Sequence, residues 1–101
     1  MKIPKKVKLL NQVITIKYDN DYCNRENVLG QTDTNHNLIV ICSRYQGNAV
    51  PHEKQCQVFF HELSHFILST IGQRKLYLDE LLADNLGTAL FDLKENNNFS
   101  L

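Results

Sequence analysis

The segment "QVFFHELSHFIL", residues 57–68, limits the possible folds of this chain more than any other part of the sequence. Its apolar spacing is typical of a helix, and on a helix His61 and His65 project from the same face about 6 Å apart. Glu62 stands one step round that helix, among apolar neighbours. Burial of a carboxylate with no charge partner costs several kcal/mol, so the fold must supply a partner for it.

A divalent metal ion is one such partner, and H-E-x-x-H on a helix is a pattern that binds zinc. Zinc accepts nitrogen and oxygen ligands in a tetrahedron and, in catalytic sites, keeps one position for water. The pKa of that water falls toward ~7, and a neighbouring carboxylate can take its proton. His61 and His65 are therefore candidate zinc ligands, and Glu62 is the candidate general base. The alternative is an ordinary core helix in which both histidines are hydrogen-bonded.

A second helical segment, "LDELLADNLG", offers a third ligand. Glu80 follows His65 by fifteen residues, which is enough for the first helix to end and a second helix to return. Asp84 and then Gly87 continue the same face, one turn apart, and form a polar and small stripe. Asp84 is expected to accept the free ring N–H of His61 or His65, the usual task of a carboxylate beside a metal ligand. The alternative is a solvent-facing acidic stripe.

β-prone runs occupy the first half of the chain and helical periodicity the second, which predicts an α+β fold. Residues 13–18, "VITIKY", alternate as a half-buried strand does, and "DNDYCNREN" after them is turn-rich. "NVLGQT" and "NLIVICS" bracket "DTNHN" as the two arms of a hairpin, and the apolar second arm, residues 38–42, belongs inside the sheet or against a helix. We predict a sheet of about three strands packed on two helices, residues 51–69 and 76–94, with Gly72 ending the first helix.

The length and charge of the chain restrict its organisation and its partners. A chain of 101 residues has room for one domain, residues 1–101, with residues 1–10 and 95–101 expected to be frayed. The 11 basic and 11 acidic residues cancel, which argues against direct binding of nucleic acid.

The hydropathy and the cysteines predict a cytoplasmic protein with no direct membrane contact. No apolar run approaches the roughly 20 residues that span a bilayer, and "KVKLLNQVITIK" is too polar for a signal peptide. Cys23, Cys42 and Cys56 are odd in number and form no C-x-x-C pair, as is typical of reduced thiols.

"HELSH" followed by "DELLAD" resembles the gluzincin arrangement, and specifically the ImmA/IrrE family of small bacterial and phage metallopeptidases. In that family a helical H-E-x-x-H is completed by a glutamate in an E-x-x-A-N/D segment. "VLGQTDTNHNLIVI" is similar to the family's glycine-containing turn and edge strand, so the resemblance covers residues 28–91. It implies a minimal zincin-like fold, one Zn²⁺ ion held by His61, His65 and Glu80, and Glu62 as the general base.

The resemblance also implies an activity, zinc-dependent hydrolysis of a peptide bond in a protein partner. Family members commonly act on a partner regulator, often a helix-turn-helix repressor of a phage or mobile element. Where the family has an alanine-rich stretch and an L-L-M-P ending, this chain has "NLGTALFDLKE", so we expect that substrate-selecting parts are either missing or supplied by another protein. A substrate strand is expected to pair with an exposed sheet edge, for which residues 38–42 are the candidate. Candidates for stabilising the oxyanion are Tyr45, Tyr77 and His36.

Two other functions fit the same residues. One is a deformylase-like metal hydrolase in which an upstream cysteine, Cys42 or Cys56, replaces Glu80 as the third ligand. The other is a zinc-stabilised binding or anti-regulator protein with no catalysis. The small size of the chain favours this last function, whereas the intact Glu62 opposes it, because a structural zinc ion needs no base beside it.

Overall fold

The computed structural model describes residues 1–70 and 79–97 of the chain, in which strands and helices are mixed. This arrangement confirms the predicted α+β class. The strands are β1 (Lys6–Leu9), β2 (Gln12–Tyr18), β3 (Gly30–Asp33), β4 (Leu38–Ile41), β5 (Arg44–Tyr45) and β6 (Asn48–Ala49), and the helices are α1 (Asn20–Glu26), α2 (His52–Thr70) and α3 (Glu80–Asn97).

A mixed four-stranded sheet in the order β1-β2-β4-β3 forms the base of the fold, one strand more than expected. β1 pairs with β2 and β3 pairs with β4 in antiparallel fashion, whereas the central pair of β2 and β4 is parallel. β4 therefore lies inside the sheet, and β1 and β3 form its two edges. β5 and β6 form a separate small hairpin.

The first strand corrects the expectation that residues 1–10 are frayed. Val7 and Leu9 are half-buried and alternate with exposed Lys6 and Lys8, which is the pattern of an edge strand with one face on the core. Lysine is common on edge strands because its charge prevents further pairing with other chains. Lys6 and Lys8, which as part of a basic cluster are also typical of a solvated chain end, therefore belong to an ordered edge strand.

The interior strands follow their hydrophobic patterns. In β2, Ile14 and Ile16 are buried while Val13 and Thr15 are exposed, as the alternation predicts. β4 is buried at Ile39, Val40 and Ile41, which confirms that this run lies inside the sheet. The core is made by isoleucines of the sheet and one face of α2; its buried members include Ile14, Ile16, Ile39, Ile41, Val58, Phe59, Phe60, Leu63 and Phe66.

The segment "DNDYCNREN", predicted to be turn-rich, forms helix α1 instead. Asp19 caps this helix by accepting a hydrogen bond from the Tyr22 amide at 3.0 Å, and Asn27 ends it in the left-handed conformation with φ 58°. Asp and Asn favour turns and helix caps alike, which is why the composition alone misled the prediction. α1 contributes Cys23 to a small second cluster with Val40, Cys42 and Val50.

The two long helices carry the residues of interest. α2 begins and ends within one residue of its predicted bounds. The second helix begins at Glu80 instead of residue 76, because Asp79 is non-helical and its side chain accepts a hydrogen bond from the Leu82 amide at 3.0 Å. Gly72 and residues 76–78 lie outside the described residues.

The far end of α3 corrects a second expectation about the termini. The helix continues to Asn97, so residues 95–97 are helical instead of frayed, and residues 98–101 lie outside the described part of the chain. Glu95 lies 3.6 Å from the ammonium group of Met1. Among the described residues, no helix is long and apolar enough to cross a membrane.

Candidate metal centre

Three predicted ligands meet where α2 and α3 pack together. Glu80 Oε2 lies 3.1 Å from Nε2 of His61, and Glu80 Oε1 lies 3.0 Å from Nε2 of His65. His65 is buried, whereas the Glu80 side chain is 74% exposed. One nitrogen or oxygen atom from each of the three residues lies within 4.8 Å of the other two, so together they could hold a metal ion.

The group offers two imidazoles and one carboxylate to a divalent metal ion. Zinc binds imidazole nitrogen and carboxylate oxygen at about 2.0–2.2 Å, which places neighbouring ligand atoms about 3.3 Å apart in a tetrahedron. The separations of 3.0 and 3.1 Å involve the two different oxygens of Glu80, and the three atoms that could bind one ion lie within 4.8 Å of one another. Three protein ligands would leave one coordination position of a tetrahedral ion open for water or a substrate.

Asp84 lies behind the first histidine, where a supporting carboxylate is expected. Its Oδ1 is 3.5 Å from Nδ1 of His61, the ring nitrogen opposite the one that faces Glu80. A carboxylate at this position favours the tautomer with hydrogen on Nδ1, which leaves Nε2 free to bind a metal ion. The separation is longer than an ordinary hydrogen bond, so a small movement of either side chain would complete the contact.

Gly87 explains how α3 comes close enough to deliver these carboxylates. A β-carbon at Gly87 would lie 2.9 Å from both the nitrogen and the α-carbon of His61, a distance at which something must shift. Because the obstructing atoms are main chain, no side-chain rotation could relieve the clash. The absence of a side chain at Gly87 therefore sets the spacing of α2 and α3 beside the ligands.

Glu62, the predicted general base, is buried beside the ligands and is held by a residue that the sequence did not single out. Thr32 Oγ1 on β3 lies 2.7 Å from Glu62 Oε1 and 2.9 Å from the Glu62 carbonyl oxygen. Burial raises the pKa of the Glu62 carboxyl above its usual range, opposed by the Thr32 hydrogen bond and by the charges of His61 and His65. A raised pKa suits a group that must take up a proton near neutral pH.

Gly30, on the same face of β3 as Thr32, lets this strand approach the base. A β-carbon at Gly30 would lie 2.5 Å from Val58 Cγ1 and 3.2 Å from Glu62 Cγ. β3 thus supplies one position without a side chain for the stem of Glu62 and one hydroxyl for its carboxylate. The spacing of Gly30 and Thr32 is a two-residue strand repeat, which becomes informative only once β3 is known to face α2.

Two cavities flank the three ligands and share Glu62 in their walls. The larger, of about 830 Å³, lies on the Asp84 side of His61, and the smaller, of about 320 Å³, lies against His65 and Glu80. Val28 and Gly30 also line both cavities. The apolar and aromatic part of the larger cavity comes from Leu29, Tyr45, Val58 and Phe91.

The prediction that residues 38–42 form an exposed sheet edge for pairing with a substrate is wrong. β4, residues 38–41, has neighbours on both sides, so its backbone groups are already used by β2 and β3. β3 is the edge strand on this side of the sheet, and it is also the strand that lines both cavities. The continuous apolar run of residues 38–42 already indicated a position inside the sheet, which does not agree with a role as an exposed edge.

The structure describes two of the three residues that were candidates for stabilising the oxyanion. Tyr45 lines the larger cavity, and its hydroxyl donates a hydrogen bond to Asn27. His36 is exposed and pairs with Asp33 Oδ2 at 2.8 Å, a contact that lowers the pKa of the Asp33 carboxyl. His36 lines neither of the two cavities, and Tyr77 lies outside the described residues.

The cysteines do not join the candidate ligands. Cys23, Cys42 and Cys56 are unpaired and buried, and none belongs to the group that could hold a metal ion. The Cys42 thiol donates to the Leu29 carbonyl at 3.4 Å, whereas Cys56 lies near the Met1 carbonyl. Burial and the neighbouring Cys42 raise the pKa of Cys23 to about 12, which keeps that thiol neutral.

Comparisons of the chain with protein-family models, with curated proteins and with solved structures found no match. The chemistry of the site must therefore be inferred from its own geometry. That geometry brings together the three candidate ligands, the candidate base and the candidate supporting carboxylate, with His61, His65 and Glu80 able to hold a metal ion, Glu62 beside them, and Asp84 behind His61.

Proposed function

We propose that the protein is a zinc-dependent endopeptidase. The observation that carries this proposal is the convergence of His61, His65 and Glu80 next to a buried carboxylate, Glu62, that is not one of the three. A purely structural metal site needs no additional carboxylate beside its three ligands. The resemblance of "HELSH" and "DELLAD" to the ImmA/IrrE family, read from the sequence, agrees with this function.

Each residue has a role that follows from its position. His61, His65 and Glu80 would hold the ion, and Asp84 would keep His61 in the tautomer that leaves Nε2 unprotonated. When bound, zinc acidifies water and polarises the carbonyl group of a substrate. Glu62 would accept the proton of the attacking water and then donate it to the leaving amine, because its carboxylate lies beside the ligands without being one of them.

The proposed substrate is an extended peptide segment of a protein partner, lying along β3. In the pairing of β3 with β4, the Cys42 amide donates to the Leu29 carbonyl at 3.3 Å. Because main-chain groups alternate in direction along a strand, those of Gly30 and Thr32 point to the open edge. A peptide paired with this edge would pass Glu62 and the three ligands, and it could place side chains in the two cavities.

The proposal extends to the setting of the protein and the class of its partner. The three buried cysteines form no disulfide, which supports a location in the reducing cytoplasm. The family resemblance suggests a helix-turn-helix regulator of a phage or mobile element as the substrate. The balance of 11 basic and 11 acidic residues favours contact with that protein over contact with its nucleic acid.

The decisive experiment compares wild-type protein with Glu62→Gln on a library of peptides derived from a whole proteome. Mass spectrometry of the products and zinc analysis of both proteins are the two measurements. We expect new peptide ends with the wild type only, and about one zinc ion per chain in both proteins. Equal zinc binding with no cleavage by either protein would favour the non-catalytic binding function instead. Cleavage by Glu62→Gln at the wild-type rate would exclude Glu62 as the base.

A further inference from the structure

Thr32 is the buried hydroxyl that contacts the candidate base, and its two contacts go to the same residue. Thr32 is buried, with 6% of its surface exposed. Its Oγ1 lies 2.7 Å from Oε1 and 2.9 Å from the carbonyl oxygen of Glu62. A hydroxyl has one hydrogen, so it satisfies one acceptor at a time. Either choice is a hydrogen bond from Thr32 to Glu62.

The other carboxylate oxygen of the buried Glu62 side chain is not completely enclosed by the protein. Within residues 1–70 and 79–97, Thr32 is the hydrogen-bond partner of the Glu62 carboxyl, and no buried side-chain oxygen lacks a partner. Oε2 is therefore reached by water, and Glu62 lines both cavities beside the ligands. Oε1 is therefore held by Thr32 of the sheet, and Oε2 remains available for proton transfer beside the two cavities.

Thr32 is also part of the strand on which the proposed substrate would lie. Its main-chain groups point to the open edge of β3, whereas its side chain points to α2 and Glu62. A single residue thus connects the edge that would bind a peptide with the carboxylate that would act on it. Catalytic groups need this kind of support, because an error of about 1 Å in their position costs up to ~100-fold in rate.

We propose that Thr32 is a positioning residue that holds the Glu62 carboxylate in the orientation needed for proton transfer. This inference rests on the proposed function, because it assigns Thr32 a role in the same site. The residue itself does not touch the reacting atoms. Its effect is on the orientation of Glu62, so removal of the hydroxyl should impair the chemical step more than metal binding or substrate binding.

The test uses the full chain with cobalt(II) in place of zinc, and acetohydroxamic acid as the probe. Cobalt accepts the same nitrogen and oxygen ligands, and its visible absorption changes when a hydroxamate binds. A hydroxamate on the metal also needs a correctly placed carboxylate to accept its hydrogen bond. Affinity is calculated per bound cobalt ion, so loss of folded protein cannot imitate loss of positioning.

Four variants separate positioning from general damage. Thr32→Val keeps the shape but removes the hydroxyl, Thr32→Ala removes the hydroxyl and leaves space, and Thr32→Ser keeps the hydroxyl. Thr15→Val makes the same change at an exposed position of β2 and is the matched control. Peptide cleavage is measured in parallel, with kcat and KM determined separately.

We expect Thr32→Val and Thr32→Ala to bind cobalt as the wild type does, but to bind acetohydroxamic acid about 10-fold more weakly. Their kcat should fall about 10- to 100-fold with little change in KM. Thr32→Ser should restore most of both properties, and Thr15→Val should change neither.

Three results would overturn the inference. A wild type that binds no metal removes the proposed function and this inference together. A wild type that binds cobalt and hydroxamate, with Thr32→Val and Thr32→Ala equal to it, removes the inference alone. Failure of Thr32→Ser to recover would assign the defect to packing of the threonine methyl group instead of to its hydroxyl.

Discussion

Gly87 of α3 faces the main chain of His61 so closely that a β-carbon there would lie 2.9 Å from the nitrogen and the α-carbon of that histidine. The position that delivers Glu80 and Asp84 to the metal group thus depends on a residue with no side chain. An alanine at this point would gain ~1 kcal/mol of helix propensity, but it would overpack the contact of the two helices. The second effect should be larger, because main-chain atoms cannot rotate away.

We therefore predict that Gly87→Ala lowers the free energy of unfolding by about 1–3 kcal/mol and weakens zinc binding, since α3 must move outward. Urea denaturation and zinc titration measure the two effects. Asn85→Ala, at an exposed position of the same helix, is the control and should be neutral or stabilising. A stable Gly87→Ala variant with normal zinc affinity would mean that the helices are not held at this spacing.

The second prediction concerns the identity of the ligands. His65→Ala and Glu80→Ala should each abolish stoichiometric zinc binding, because each removes one of the three converging groups. Cys42→Ser should retain about one zinc ion per chain, because Cys42 lies in a separate buried cluster. Metal analysis after dialysis gives the answer. Loss of zinc in Cys42→Ser together with its retention in Glu80→Ala would favour a deformylase-like site.

The third prediction concerns the carboxylate behind His61. Asp84→Asn should reduce zinc affinity by about 10- to 100-fold, because an amide supports the required histidine tautomer less well than a carboxylate does. Asp92→Asn removes a similar charge from the same helix and the same cavity, but this residue makes no contact with a histidine in the described structure. Competition with a chromophoric chelator measures both affinities. Equal losses in the two variants would indicate a general electrostatic effect of the cavity.

The fourth prediction concerns pH and the stability of the metal-free protein. Burial raises the folded-state pKa of Glu62 above its ordinary value of 4.5, so the folded state holds this proton more tightly than the unfolded state. The stability is therefore greatest, with respect to this group, below the unfolded pKa, and it falls as the pH rises through the folded pKa. Glu62→Gln removes this dependence and should be more stable than the wild type near neutral pH.

The measurement for this fourth prediction is urea denaturation in the presence of a chelator, from about pH 4 to about pH 8. The advantage of Glu62→Gln should grow with pH across that range. Glu53→Gln, an exposed position on the same helix, should stay within ~0.5 kcal/mol of the wild type. A wild type more stable than Glu62→Gln at neutral pH would show that the burial of this carboxylate is fully compensated without metal.

The candidate ligands could be predicted because their geometry is mostly local. The four-residue spacing of His61 and His65 fixes them on one helix face, and a helix that returns after a short connection brings Glu80 within reach. Thr32 could not be predicted in this way. A threonine in a short strand has no distinguishing signal until the strand is placed against α2, and that placement depends on contacts between residues far apart in the chain.

The fold shows the same division between local and distant information. The alternation of β2 and the bounds of α2 follow from periodicity, and both predictions were confirmed. β1 was missed because its lysines resemble those of a solvated end, and α1 because Asp19 and Asn27 fit a turn as well as a cap. β3 was not recognised as the edge strand because the strand order is set by the parallel pairing of β2 with β4, which no local pattern encodes.

That parallel pairing has a consequence for how the molecule acquires its structure. Each outer hairpin can form from neighbouring residues, whereas the central seam joins Thr15 to Leu38 and Tyr18 to Ile41 across the whole of α1 and β3. Contacts of such sequence separation close late and slowly in folding. Completion of the seam should therefore be the step that limits the rate at which newly made chains mature, and mutations along it should slow refolding more than mutations within either hairpin.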